Sequence, residues 1–130
     1  MNTKTYKELN ILIQSINQAL GNQETKTQKK LFKIYEKLQS HHEDFQTQFE
    51  ELRLDNAAVN ENGFLLFDDK KEYQFNKDNI KKLSEDIKIL NEKSFNFIPI
   101  QITNPSSLEQ FLFLQGWVEG VVFVDQEEEL

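Results

Sequence analysis

Along residues 25–54 the positions Leu31, Tyr35, Leu38, His42, Phe45, Phe49 and Leu52 step 4, 3, 4, 3, 4, 3. No Gly or Pro interrupts them. An unbroken heptad seam of this kind requires one continuous helix, here roughly 45 Å long at 1.5 Å per residue. Nothing else in the 130-residue chain is as long. Whatever the remaining residues fold into, they must cover that seam.

The first candidate cover lies just upstream. Tyr6, Leu9, Ile13, Ile16 and Leu20 fall on one face of a helix over Thr3 to Leu20. Thr5-Tyr6-Lys7-Glu8 has the form of a capping box at its start. Gly21-Asn22 predicts a left-handed C-cap and a tight reversal at its end. The two helices then form an antiparallel hairpin over residues 1–54. The first, being shorter, covers the second to about residue 42. Phe45, Phe49 and Leu52 lie beyond its reach and need a cover of their own, which the sheet of the same chain, a second copy or a heterologous partner could each supply.

Residues 63–130 read as the α+β part of the same single domain. Asn62-Gly63 marks a turn, and Phe64–Phe67 and Glu72–Phe75 read as two short strands about Asp68-Asp69-Lys70-Lys71. Ile80, Leu83, Ile87 and Leu90 predict a helix over Asn76 to Glu92, capped by Asn76 or Asp78. Phe95 to Ile102 is β-prone, with Pro99 favouring an edge position. Pro105 and Ser106-Ser107-Leu108-Glu109 predict a short helix closed by Gly116. Trp117 to Val124 reads as a last strand, open to being core or an edge that accepts a partner, ahead of the acidic tail from Asp125 to Glu129. The fold expected is α+β: a long N-terminal helical hairpin, a small mainly antiparallel sheet and one or two further helices.

The chemistry-bearing residues are few. The chain has no Cys, which excludes disulfides and thiolate chemistry. Its four glycines form no phosphate-binding loop. His41 and His42 are adjacent, so on a helix they point about 100° apart and cannot easily share one metal. His41 and Asp44 could give two ligands, but no third is evident; a solvated His41 and a His42 satisfied in the seam account for both. Asp68 and Asp69 fit turn chemistry better than acid–base work. No catalytic, cofactor-binding or metal site emerges, no small-molecule substrate is evident, and the chain reads as a non-enzyme.

Charge narrows the partners. The formal net charge is −7, of which residues 66–130 carry −6, and fourteen of the fifteen basic residues are Lys, with Arg53 the exception. Such a balance argues against nucleic acid and anionic lipid. No stretch has the length of a transmembrane span, and the N-terminus lacks an apolar leader, so an intracellular setting is expected. Against the trend, Lys26, Lys30, Lys33 and Lys37 form one stripe on the long helix, with Glu43, Asp44, Glu50 and Glu51 further along. A solvated face, docking of an acidic partner, antiparallel self-association and contact with nucleic acid all remain open for it.

The order of elements resembles a family of small uncharacterised bacteriophage proteins. The resemblance is carried by Asn62-Gly63-Phe64, Tyr73-Gln74-Phe75, the helix from Asp78 to Glu92, Phe97-Ile98-Pro99-Ile100 and the closing Leu108, Leu112, Leu114 and Trp117-Val118. It covers most of the chain, which departs from it in its Phe-rich strands and longer tail. It implies a phage setting, in the host cytoplasm or the virion. The expected role is a virion structural or assembly component working through protein contacts; inhibition of a host defence protein is the alternative.

Overall fold

The computed structural model describes residues 2–124, so the expected acidic tail and the final position of the chain lie outside the described residues. It is an α+β fold. Strand β1 (Asn2–Thr5) leads into helix α1 (Tyr6–Leu20), and the long helix α2 (Thr25–Asn56) follows. Helix α3 (Lys77–Glu92), strands β2 (Ser94–Phe97) and β3 (Ile100–Gln101), a 3-10 turn (Leu112–Leu114) and strand β4 (Val118–Glu119) complete it.

The capping box forms as its spacing requires. Thr5 is the N-cap of α1, its hydroxyl accepting from Glu8 N–H at 3.2 Å while Glu8 Oε1 accepts from Thr5 N–H at 3.0 Å. That backbone bond to Thr5 holds the Glu8 carboxyl below its ordinary value of 4.5. Because Thr5 caps the helix, Asn2–Thr5 cannot belong to it and instead pair antiparallel with Ser94–Phe97. The expected left-handed C-cap does not form. Gly21 is right-handed (φ −66°, ψ −20°), and Gln28 Nε2 donates to the Leu20 carbonyl at 2.8 Å. A side chain of the second helix thereby satisfies a terminal carbonyl that a left-handed residue would otherwise help to cap.

Helix α1 packs along the first half of α2, placing Leu9, Leu12, Ile13 and Ile16 against Leu31, Ile34 and Leu38, all buried. Its start reaches further than expected, since Tyr6 packs against Phe45 (5.5 Å between ring centroids) and its hydroxyl accepts from Gln48 Nε2 at 3.2 Å. Helix α3 packs along the second half of α2. Buried Asn56 joins the two, donating to the Leu52 carbonyl at 2.8 Å and reaching Asp86 of α3 at 3.5 Å.

The β regions depart most from expectation. Phe64–Phe75 makes no regular hairpin; isolated bridges pair Val59 with Leu65 and Phe67 with Tyr73. Asp68 caps its turn by accepting from Lys70 and Glu72 N–H at 2.8 and 3.0 Å, and Tyr73 ties the segment to α2 through Glu50 and Arg53. Pro99 splits the run from Phe95 to Ile102 into β2 and β3, which belong to separate two-stranded sheets. The second of these, β3 with β4, is parallel.

The helix expected after Pro105 is replaced by successive three-residue turns. Leu108, Phe111, Leu114 and Trp117 N–H donate to the carbonyls of Pro105, Leu108, Phe111 and Leu114 at 2.9–3.0 Å. These four side chains are all buried. The last strand is confined to Val118–Glu119, since Gly120 turns the chain with φ +92°. A Cβ there would enter the Ile102 carbonyl oxygen. Gly120→Ala is therefore expected to cost on the order of 1–3 kcal/mol, read from the urea midpoint at an unchanged slope.

Candidate protein-interaction site

The seam residues beyond the reach of α1 are where the fold leaves apolar surface open. Phe45 and Phe49 lie with ring centroids 5.8 Å apart, half-buried and packed against the core. Tyr6, itself stacked on Phe95 of β2, packs on Phe45, and Ile87 and Leu90 of α3 line this half of α2. Leu52, also half-buried, sits beside Leu90. Coverage is incomplete. Between α1 and α3 an open groove of about 610 Å³ runs over Phe45 and Phe49, walled by Ile11 and Ile87 and rimmed by Lys7, Lys88 and Glu92.

Ile11 is the residue that sequence periodicity passes over. It lies off the buried stripe of α1 and is 53% exposed, so its apolar side chain faces the groove instead of the core. An isolated Ile outside a helix's apolar stripe was the available signal. Ile87, on the periodic apolar stripe of α3, is half-exposed at the groove wall.

The lysine stripe occupies a different side of α2. Lys26, Lys33 and Lys37 are exposed, and Lys30 is half-buried, its Nζ donating to the Ser106 carbonyl at 2.6 Å. The structure thus brings Phe45, Phe49 and Leu52 together with α3, and sets the lysines apart from them, beside the C-terminal segment.

Neither histidine is solvated in the way expected of His41. Its ring stacks on Phe95 at 4.6 Å, within a chain of rings that continues through Phe97 to Trp117. Among the described residues no group of three or more His, Cys, Asp or Glu could hold a metal ion. No helix among them is long and apolar enough to cross a membrane. His42 lies edge-on to Tyr35 at 6.2 Å, and burial lowers its pKa below the ordinary 6.5, against the opposing pull of Glu43.

Compared with protein families, curated proteins and solved structures, the chain matches none.

The depressed His42 pKa has a definite sign in stability. Well above pH 6.5 neither folded nor unfolded chain protonates it, and its full contribution is present. As pH falls through 6.5 the unfolded chain binds the proton first, so stability declines until the folded value is passed. Thermal unfolding at about pH 7 and about pH 5 is expected to show this loss, and His42→Gln to reduce it.

Proposed function

We propose that this chain is a non-enzymatic protein that acts through protein–protein contacts, with the groove over Phe45 and Phe49 as a contact site. One observation carries this reading. A groove walled by the two helices α1 and α3 leaves two aromatic rings of the α2 seam only half covered. The occupant it suits is an amphipathic helix of a partner protein. Ile11, Phe45, Phe49 and Ile87 would receive the helix's apolar side chains, while Lys7, Lys88 and Glu92 would meet its charged flanks.

In the phage setting that the resemblance implies, the role is that of a virion structural or assembly component. Mass spectrometry of purified particles checks it: presence at a fixed copy number is expected. Absence from particles, with expression during infection, would instead turn the reading to the inhibitor of a host defence protein.

The contact site is checked separately. A photo-crosslinker placed at exposed position 11 is expected to form one adduct in infected cells, with the cross-linked peptide lying in a helical segment of the partner. The same probe at Asn22, at the far end of α1, should give none. Ile11→Asp should remove the adduct captured by a second probe at Lys88 while leaving the unfolding free energy within about 0.5 kcal/mol of the parent, as expected for an exposed position. Equal labelling from positions 11 and 22 would count against the groove.

A further inference from the structure

The exposed side of α2 carries a charge pattern that works against its own helix. Lys26, Lys30, Lys33, Lys37, Asp44, Glu51 and Asp55 fall within about 60° of one another at 100° per residue. Like charges stand four apart at Lys26 and Lys30, at Lys33 and Lys37, and at Glu51 and Asp55, a spacing that destabilises a helix. Lys26 in the first turn and Asp55 in the last turn each oppose the helix dipole. Among the described residues none of these seven is in a salt bridge; the two that form are Lys4 with Glu8 and Arg53 with Glu50.

The same pattern is complementary to itself when reversed. A two-fold axis between Ser40 and His41, perpendicular to α2, sets Lys26 opposite Asp55 of a second copy and Lys37 opposite Asp44; Lys30, half-buried and donating to the Ser106 carbonyl of its own chain, lies level with Glu51. Lys33 then faces Gln48, whose Oε1 accepts from Lys93 at 3.2 Å, with Glu51 and Asp55 lining the same groove as Lys93. Antiparallel docking also aligns the two helix dipoles favourably. Apolar surface flanks the stripe: Ile98, 77% exposed, beside Lys37 and His41, and Ile89, 60% exposed, beside Glu51 and Asp55.

We infer that α2 is the interface of an antiparallel two-fold homodimer, held by reciprocal Lys–carboxylate pairs along this stripe. A second copy is the occupant because the charge order that is unfavourable within one helix becomes favourable across two. The groove over Phe45 lies roughly 100° around α2 from the stripe, so it stays open in the dimer and its reading stands or falls separately.

Charge swapping tests the inference. In sedimentation at low salt the parent is expected at twice 15.4 kDa, dissociating as salt rises because exposed pairs are screened. Lys37→Glu alone and Asp44→Lys alone each place like charges together at two symmetry-related sites. Each should weaken the dimer by about tenfold or more, with an unchanged helical circular dichroism spectrum. An equimolar mixture of the two variants should recover the parent affinity. In the mixed dimer the introduced carboxylate of one chain meets the introduced ammonium of the other, and the remaining native Asp44 meets the remaining native Lys37. A parent that stays monomeric at low salt overturns the inference and leaves the stripe to solvent or to a heterologous acidic partner. So does a dimer that either single variant leaves intact, or a mixture that fails to recover.

Discussion

A helix of 32 residues is about 48 Å long, and a 15-residue neighbour covers less than half of that. The rest of the structure is organised by this mismatch. The first half of α2 is closed on one side by α1 and on the other by the segment carrying Leu108, Phe111 and Leu114. The second half is closed by α3. The buried side chains nonetheless form one continuous core, because Tyr6 at the start of α1 reaches Phe45, past the midpoint of α2.

Aromatic rings carry the connection from the helices to the strands. Tyr6 stacks on Phe95, Phe95 meets Phe97 and Trp117, and Lys4 Nζ lies 5.4 Å above the Trp117 ring. Strands of two to four residues contribute little by themselves. Here they are held by the rings they present, so the two small sheets act as mounts for the aromatic cluster more than as independent layers. The same contacts explain why His41 is drawn out of solvent: its ring adds one more face to Phe95.

The helices were legible because each rests on local signals that agree with its packing. The Thr5–Glu8 box, the Asn76 cap and the 3.6-residue stripes mark boundaries that tertiary contacts do not move. The strands were less legible. Asn2–Thr5 has no alternation to betray a strand, and it is extended because Ser94–Phe97 offers it a ladder. The segment after Pro105 does carry a signal, in the strict three-residue spacing of Leu108, Phe111, Leu114 and Trp117. Read as α-helix, that spacing drifts around the cylinder by about 60° per step, so it does not mark one face of an α-helix. The parallel pairing of β3 with β4 joins residues far apart in sequence, and no local pattern encodes it.

The site was half legible for a related reason. A heptad seam says which side of α2 is apolar, and it marks Phe45, Phe49 and Leu52 as residues in need of cover. It does not say how closely the cover fits. Helix α3 presents Ile87 and Leu90 to that side of α2, but Ser84, Lys88 and Asn91 interrupt its approach to α1. On α1 the facing positions are Lys7, Asn10 and Gln14, with Ile11 the one apolar side chain among them. Two mostly polar faces gain little by closing on each other, because their charged and amide groups would lose water without regaining equivalent bonds. The gap between α1 and α3 therefore stays open above rings that are themselves apolar. A partner closes it favourably only by bringing apolar side chains to Phe45 and Phe49 while leaving that polar rim hydrated or paired.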